Sequence, residues 1–353
     1  MNVTSKSYRA CSPDSPEGPA AEAVAREPPR SKGPLFFVHI PKTAGTSFRL
    51  GAEAFFGRAR VVYDYGVAAP QTDSLVRAAL YQGGQDFWAF RRACELQSTA
   101  MVAGHVSVRR FVSLFGVERT ITFLRNPLSR MASEYRHRVS LGQYEGSFRE
   151  FFIRPVMQNR LSNVLGGLDQ ELLGFVGLTE RYAESIEMLN QRFDISIPAR
   201  RDNRRGESSS VIQQLSSQEQ EELLQLNRKD IRLYEQASEL FELRLNFFKK
   251  GKCWSHARLT SCTLRGISGW AWWAADRDEP VEVEVWINGE ARERVAAVHL
   301  RPDLCHLLPP RGGYVGFNLP MRLSEGDRVQ CRVTATGQWF PLKPQWVRGP
   351  DKR

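Results

Sequence analysis

The stretch Leu35-Phe-Phe-Val-His-Ile-Pro-Lys-Thr-Ala-Gly-Thr-Ser47 constrains the fold more than any other part of this chain. The apolar run 35–40 reads as a buried parallel strand, because strands covered on both faces lose the polar alternation of half-exposed ones. A loop holding Pro41, Lys42 and Gly45 breaks the run, and Thr46 with Ser47 opens a helix. A strand, a short loop and a helix start make a phosphate cradle: backbone N–H groups point at an anion, the helix dipole favours negative charge, and a lysine adds a movable cation. The residue order differs from a Walker loop, which ends Gly-Lys-Ser/Thr. Here Lys42 comes first, and Thr43, Ala44, Gly45, Thr46 and Ser47 follow.

Downstream, apolar runs at 100–104 and 120–124 alternate with amphipathic helical stretches. That alternation predicts an α/β fold: a P-loop-type parallel sheet flanked by helices, spanning 33–251. Its last element is read as one long helix, with Ser217 and Gln220 as a capping box and Lys249, Lys250 and Gly251 as stop signals. Beyond it the texture changes. Val/Glu alternation at 281–287, the turn pair Asn288-Gly289, a return run at 291–300 and short strand candidates at 314–319, 328–334 and 339–342 predict a small antiparallel β-sandwich over 257–348. Residues 1–32, rich in Pro, Ser, Ala and Glu without apolar periodicity, read as a disordered tail.

The chain has 353 residues and a formal net charge of +10, so anionic partners are expected. No basic helix with interleaved aromatics and no common nucleic-acid motif occurs, which sets nucleic acid aside. Six scattered cysteines form no CxxC pair and have no histidine at ligand spacing, so no metal site is expected. The N-terminal residues lack an apolar signal core, and no apolar run reaches the roughly 18 residues a membrane span needs. A cytoplasmic protein with reduced thiols is the expectation.

Two further positions carry chemistry. In Leu124-Arg-Asn-Pro-Leu-Ser-Arg-Met-Ala-Ser-Glu-Tyr135, a β-type run ends at Leu124, and Pro127 starts a helix. Arg125 at the strand's end and Ser133 about two turns into the helix can grip a phosphate from two sides. In Met101-Val-Ala-Gly-His-Val-Ser107, His105 follows another strand end, where ligands of α/β folds gather. Its free pKa suits it to accept a proton from a hydroxyl. His39, by contrast, reads as a core histidine of the first strand.

The two phosphate motifs, in this order with His105 between them, resemble the carbohydrate sulfotransferases that use 3′-phosphoadenosine-5′-phosphosulfate (PAPS), in particular the heparan-sulfate uronyl 2-O-sulfotransferases. The resemblance implies PAPS as co-substrate, no metal, and a carbohydrate acceptor, with a uronic acid 2-hydroxyl of a polysaccharide as one such target. It assigns the 5′-phosphosulfate to Lys42, Thr43, Ala44, Gly45, Thr46 and Ser47, and the 3′-phosphate to Arg125 and Ser133. It makes His105 the general base, with Lys42 stabilising the leaving phosphate oxygen. Arg160, in a segment similar to bacterial members, is a candidate contact to substrate. The cationic run at 200–206, with Arg204 and Arg205, reads as a segment closing over the nucleotide, as a grip on an anionic sugar, or as a solvated stretch. Trp270, Trp272 and Trp273 read either as sandwich core or as a sugar-stacking surface. Two other functions remain open on sequence: a P-loop kinase using ATP, for which Asp64 is the near acidic candidate, and a non-catalytic glycan- or nucleotide-binding protein.

Overall fold

The computed structural model describes residues 33–82, 84–200, 210–341 and 345–347. The tail 1–32 and the positions Arg204 and Arg205 lie outside the described residues.

Five parallel strands, β1 (Leu35–Val38), β2 (Val61–Asp64), β3 (Met101–Gly104), β4 (Thr120–Leu124) and β5 (Phe175–Leu178), form one sheet in the order β2-β3-β1-β4-β5. Helices α1 (Gly45–Phe56), α2 (Phe87–Leu96), α3 (Pro127–Ser140), α4 (Arg160–Val164), α5 (Tyr182–Phe193), α6 (Ser217–Leu226) and α7 (Arg228–Lys249) surround it. Successive residues of the central strand point to opposite faces. Phe37 meets Phe48 of α1 at a centroid distance of 4.6 Å, while Phe36 meets Phe111 at 5.4 Å, which in turn stacks on Phe90 of α2. Both faces of β1 are therefore covered, which is why its sequence is continuously apolar. Each fully buried phenylalanine contributes about 1.5–3 kcal/mol of transfer free energy.

The chain leaves β1 toward the β2 edge and leaves β4 toward the β5 edge. This divergence opens a crevice at the carboxyl ends of β1 and β4, the place where open α/β sheets bind ligands.

The remaining strands are β6 (Ser255–Thr263), β7 (Gly266–Trp273), β8 (Glu282–Ile287), β9 (Glu290–Ala296), β10 (His299–Leu300), β11 (Tyr314–Pro320), β12 (Arg328–Val333) and β13 (Gln345–Trp346). They form two antiparallel four-stranded sheets, β10-β11-β7-β6 and β13-β12-β8-β9. Leu259, Ile267, Ala271 and Trp273 of one sheet face Val283, Val285, Val329 and Val333 of the other across a shared core. Asn288 and Gly289 both take positive φ, 52° and 89°, as a tight hairpin between β8 and β9 requires.

The fold class is thus the expected one, with local differences. Trp270 and Trp272 are both 2% exposed and join the core of the parallel-sheet unit, with rings stacked 4.5 Å apart. Trp273 is 7% exposed and faces the sandwich interior. Strand β7 is covered on both faces, so none of these three indoles is a sugar-stacking surface. The long last helix is two helices interrupted at Asn227, whose side chain turns inward to donate to Leu223 O and accept from Asn159 N. The capping box is one residue earlier than the sequence suggests, Ser216 with Glu219. The run 291–300 is split between β9 in one sheet and β10 in the other, and around 339 only a single bridge, Arg332 to Trp339, occurs.

Candidate functional site

Strands β1, β2 and β3 end level, and β4 runs two residues further, to Leu124. Val38 pairs with Gly104 and with Thr122, and Asp64 pairs with Gly104. The residues that follow, His39 after β1, Tyr65 after β2, His105 after β3 and Arg125 after β4, therefore emerge at one edge of the sheet.

The loop between β1 and α1 is closed by the Thr43 hydroxyl, which donates to Ile40 O at 2.9 Å. Thr43 is fully buried, so what it offers a ligand is backbone. Lys42 and Ala44 take left-handed conformations, with φ of 70° and 64°. Such conformations cost non-glycine residues of order 1 kcal/mol each, and a backbone alternating into this region turns successive N–H groups toward one point. Helix α1 has no side-chain cap at Ala44 and no acidic residue in its first turn. The cradle thus fits an anion. Ser47 is buried and Thr46 exposed at the helix start.

A Cβ on Gly45 would lie 2.0 Å from Cδ2 and Nε2 of His39. The imidazole fills that space. His39 lies just past the strand rather than inside it, buried, with Nδ1 3.0 Å from the Tyr65 hydroxyl. Its ring centroid stands 4.4 Å from that of His105, and Tyr65 approaches His105 edge-on at 4.6 Å. Burial, with the charges of His105 and Arg49, holds the His39 pKa well below 6.5. His105 itself is exposed to solvent. Desolvation by its surroundings, then the Arg160 cation, lowers its pKa to about 4, with Glu134 opposing. Both rings are neutral near pH 7. Burial pushes the Tyr65 hydroxyl up to about 12.

Arg125 is half-buried, and its Nη1 donates to Lys42 O at 3.3 Å. The cradle loop and the end of β4 therefore touch directly. Burial lowers the Arg125 pKa, with Glu180 acting against the shift. Helix α3 starts from Pro127 with the Asn126 side chain accepting from Ser129 N at 3.1 Å, and carries half-buried Ser133. On the same helix Arg130 and Glu134 are buried, and Arg138 donates to Glu134 at 2.9 Å.

Arg160 is the first residue of α4. Buried Asp230, on α7, accepts from Leu161 N and Ser162 N, each at 2.8 Å, and from Ser162 Oγ at 2.7 Å. This carboxylate caps α4 from outside the helix and fixes where Arg160 begins. Sequence reasoning missed Asp230, since the two segments are 69 residues apart. It also missed His39, Tyr65 and Glu134 as neighbours of His105; the position of His39 next to the cradle was the available signal.

Asp64, the acidic candidate for a kinase, is fully buried and accepts from Arg110 Nε at 2.6 Å, Tyr81 OH at 2.7 Å and Gly66 N at 3.2 Å. It is a structural carboxylate. Two cavities of about 530 and 1030 Å³ open at the opposite end of the sheet, against Arg119, Asp276 and Arg277, away from this crevice.

No protein-family model matches the chain, and no curated protein matches it. Among solved structures, the chain is similar to a sulfotransferase from Alicyclobacillus acidocaldarius, with 17% identity and a TM-score of 0.30 over 57% of this chain and 94% of that one. Among the described residues, no helix is long and apolar enough to cross a membrane.

Proposed function

We propose that this protein is a PAPS-dependent sulfotransferase acting on a carbohydrate hydroxyl, with residues 33–251 as the catalytic unit and 257–348 as an accessory module. The observation that carries this reading is the contact between two anion grips: Arg125 at the end of β4 donates to the backbone of Lys42 in the β1–α1 cradle, 3.3 Å away. Two grips that share a hydrogen bond suit one ligand with two separate phosphates, as PAPS has.

In this reading Thr43, Ala44, Gly45, Thr46 and Ser47 hold the 5′-phosphosulfate, and Arg125 with Ser133 holds the 3′-phosphate. His105 accepts the proton of the acceptor hydroxyl as its oxygen bonds to sulfur. The bond from sulfur to the 5′-phosphate oxygen breaks, and Lys42 stabilises the charge left on that oxygen. A base with a free pKa of about 4 is deprotonated at pH 7. Phosphates bound beside it favour its charged form and raise that pKa toward the operating pH, where general-base catalysis is most effective. Arg160, whose charge bears on His105, faces the reacting oxygens or an acidic group of the acceptor. A uronic acid 2-hydroxyl is the acceptor position the sequence resemblance favours.

Incubation with ³⁵S-labelled PAPS and a panel of polysaccharides tests the proposal. Label transfer is expected in the wild type and is lost in Lys42→Ala and His105→Ala. Turnover of ATP with magnesium, and none of PAPS, would reverse it in favour of a kinase.

A further inference from the structure

We infer that the outer face of the β13-β12-β8-β9 sheet is a binding surface for an acidic polysaccharide, separate from the crevice. The opposite sheet of the sandwich is buried against the parallel-sheet unit through Trp270 and Trp272. Among the described residues, no side chain on the outward side of β12 and its neighbours joins the core of the parallel-sheet unit, and this side carries three tryptophans.

Register defines their layout. Arg328, Gln330 and Arg332 alternate outward along β12, while Val329, Cys331 and Val333 fill the core. Trp346 pairs with Arg328, Trp286 with Gln330, and Trp339 bridges to Arg332. Arg328 and Arg332 are four residues apart on one strand, which sets Trp346 and Trp339 about 13 Å apart along it, and Trp286 packs edge-on against Trp339 at 5.3 Å. Trp346 is 61% and Trp339 38% exposed, so two indoles of one sheet face are open to solvent together.

The polar groups among them suit an anionic sugar. The Arg332 guanidinium lies over Trp286 at 4.7 Å and over Trp339 at 5.4 Å, which holds its planar fork fixed. Glu284, opposite Arg332, accepts from Trp286 Nε1 at 2.8 Å, from Arg332 Nε at 3.0 Å and from Arg294 Nη2 at 3.4 Å. Two arginines and one indole N–H thus share this carboxylate, and Arg328, beside Trp346 on the same face, adds a further cation. Indole faces stack on the C–H faces of pyranose rings, and guanidinium forks pair with carboxylate or sulfate esters. A nucleic acid is less suited, because it calls for a basic track along several phosphates, whereas here Glu284 offsets part of the cation charge.

The surface binds glycan without donor, so its test is independent of sulfuryl transfer. The full-length protein is run in affinity electrophoresis against polygalacturonate, chondroitin sulfate, neutral dextran and oligo-dT. Retardation by the two acidic glycans is expected. It should weaken at least fivefold in Trp346→Ala and in Arg328→Ala, both exposed positions whose loss leaves the core intact, and persist in Lys42→Ala. Transfer to a short acceptor stays at the wild-type rate in Trp346→Ala if PAPS is the donor. Absence of retardation, retardation unchanged in both variants, or oligo-dT binding as tight as the acidic glycans would overturn the inference.

Discussion

His39 and His105, from two adjacent parallel strands, stand with ring centroids 4.4 Å apart, and His39 occupies the space that a side chain on Gly45 would need. The cradle and the candidate base are thereby coupled through one buried imidazole. His39→Ala should lower kcat at least tenfold and shift the pH–rate profile, while donor affinity changes less. A purely structural His39 would change thermal stability and leave the pH profile in place. Rates and melting curves measured on the same preparations separate the two outcomes.

Gly45→Ala tests the same contact from the other side. The added methyl meets the imidazole 2.0 Å away, against a ring locked by Tyr65. Overpacking of this kind costs about 1–3 kcal/mol, and the displaced ring should carry His105 with it. A variant with wild-type stability and activity would show that the ring moves aside freely.

Asp230→Ala removes the acceptor for two backbone donors and one hydroxyl at the start of α4. Leaving buried donors unpaired should cost about 2–4 kcal/mol, read as a lower urea midpoint. Asp230→Asn should recover part of that loss. Arg160 would lose its fixed position in both variants, so activity should fall further than stability alone explains.

Stability should decline as pH falls below about 6.5. His39 and His256 are buried with folded pKa values well below that of the unfolded chain. His256 lies beside Arg244, its Nδ1 2.8 Å from Glu171 O. Below pH 6.5 the unfolded state binds protons that the folded state refuses, a loss of about 1.4 kcal/mol per pH unit for each group. Exposed His105 adds to it weakly, down to about pH 4. Glu171, whose pKa burial raises, works in the opposite sense. Urea midpoints from pH 7 to 5 should show the decline, and His256→Gln should flatten it. Stability that holds or rises over that range would contradict the two buried imidazoles.

What the sequence revealed follows from distance along the chain. The run at 35–40, the cradle and the hairpin at Asn288-Gly289 are local patterns, and each appears where local physics puts it. Strands β2 and β5 are four residues long, as are β1 and β3, and went unread because no candidate motif borders them to mark them out. Trp270 and Trp272 read either as core or as surface, and the sequence could not decide between them because what covers them is a different unit of the chain. The role of Asp230 was invisible for the same reason. The contact between Arg125 and Lys42 joins two motifs that sequence places in order but cannot bring together.

The most direct measurement is isothermal titration of the free protein with adenosine 3′,5′-bisphosphate and, separately, with ATP and magnesium. The bisphosphate should bind, at least tenfold more weakly in Arg125→Ala and in Lys42→Ala alike, since each variant removes one of two grips on the same molecule. No binding of the bisphosphate, or tighter binding of ATP that ignores Arg125→Ala, would contradict a crevice built for two phosphates.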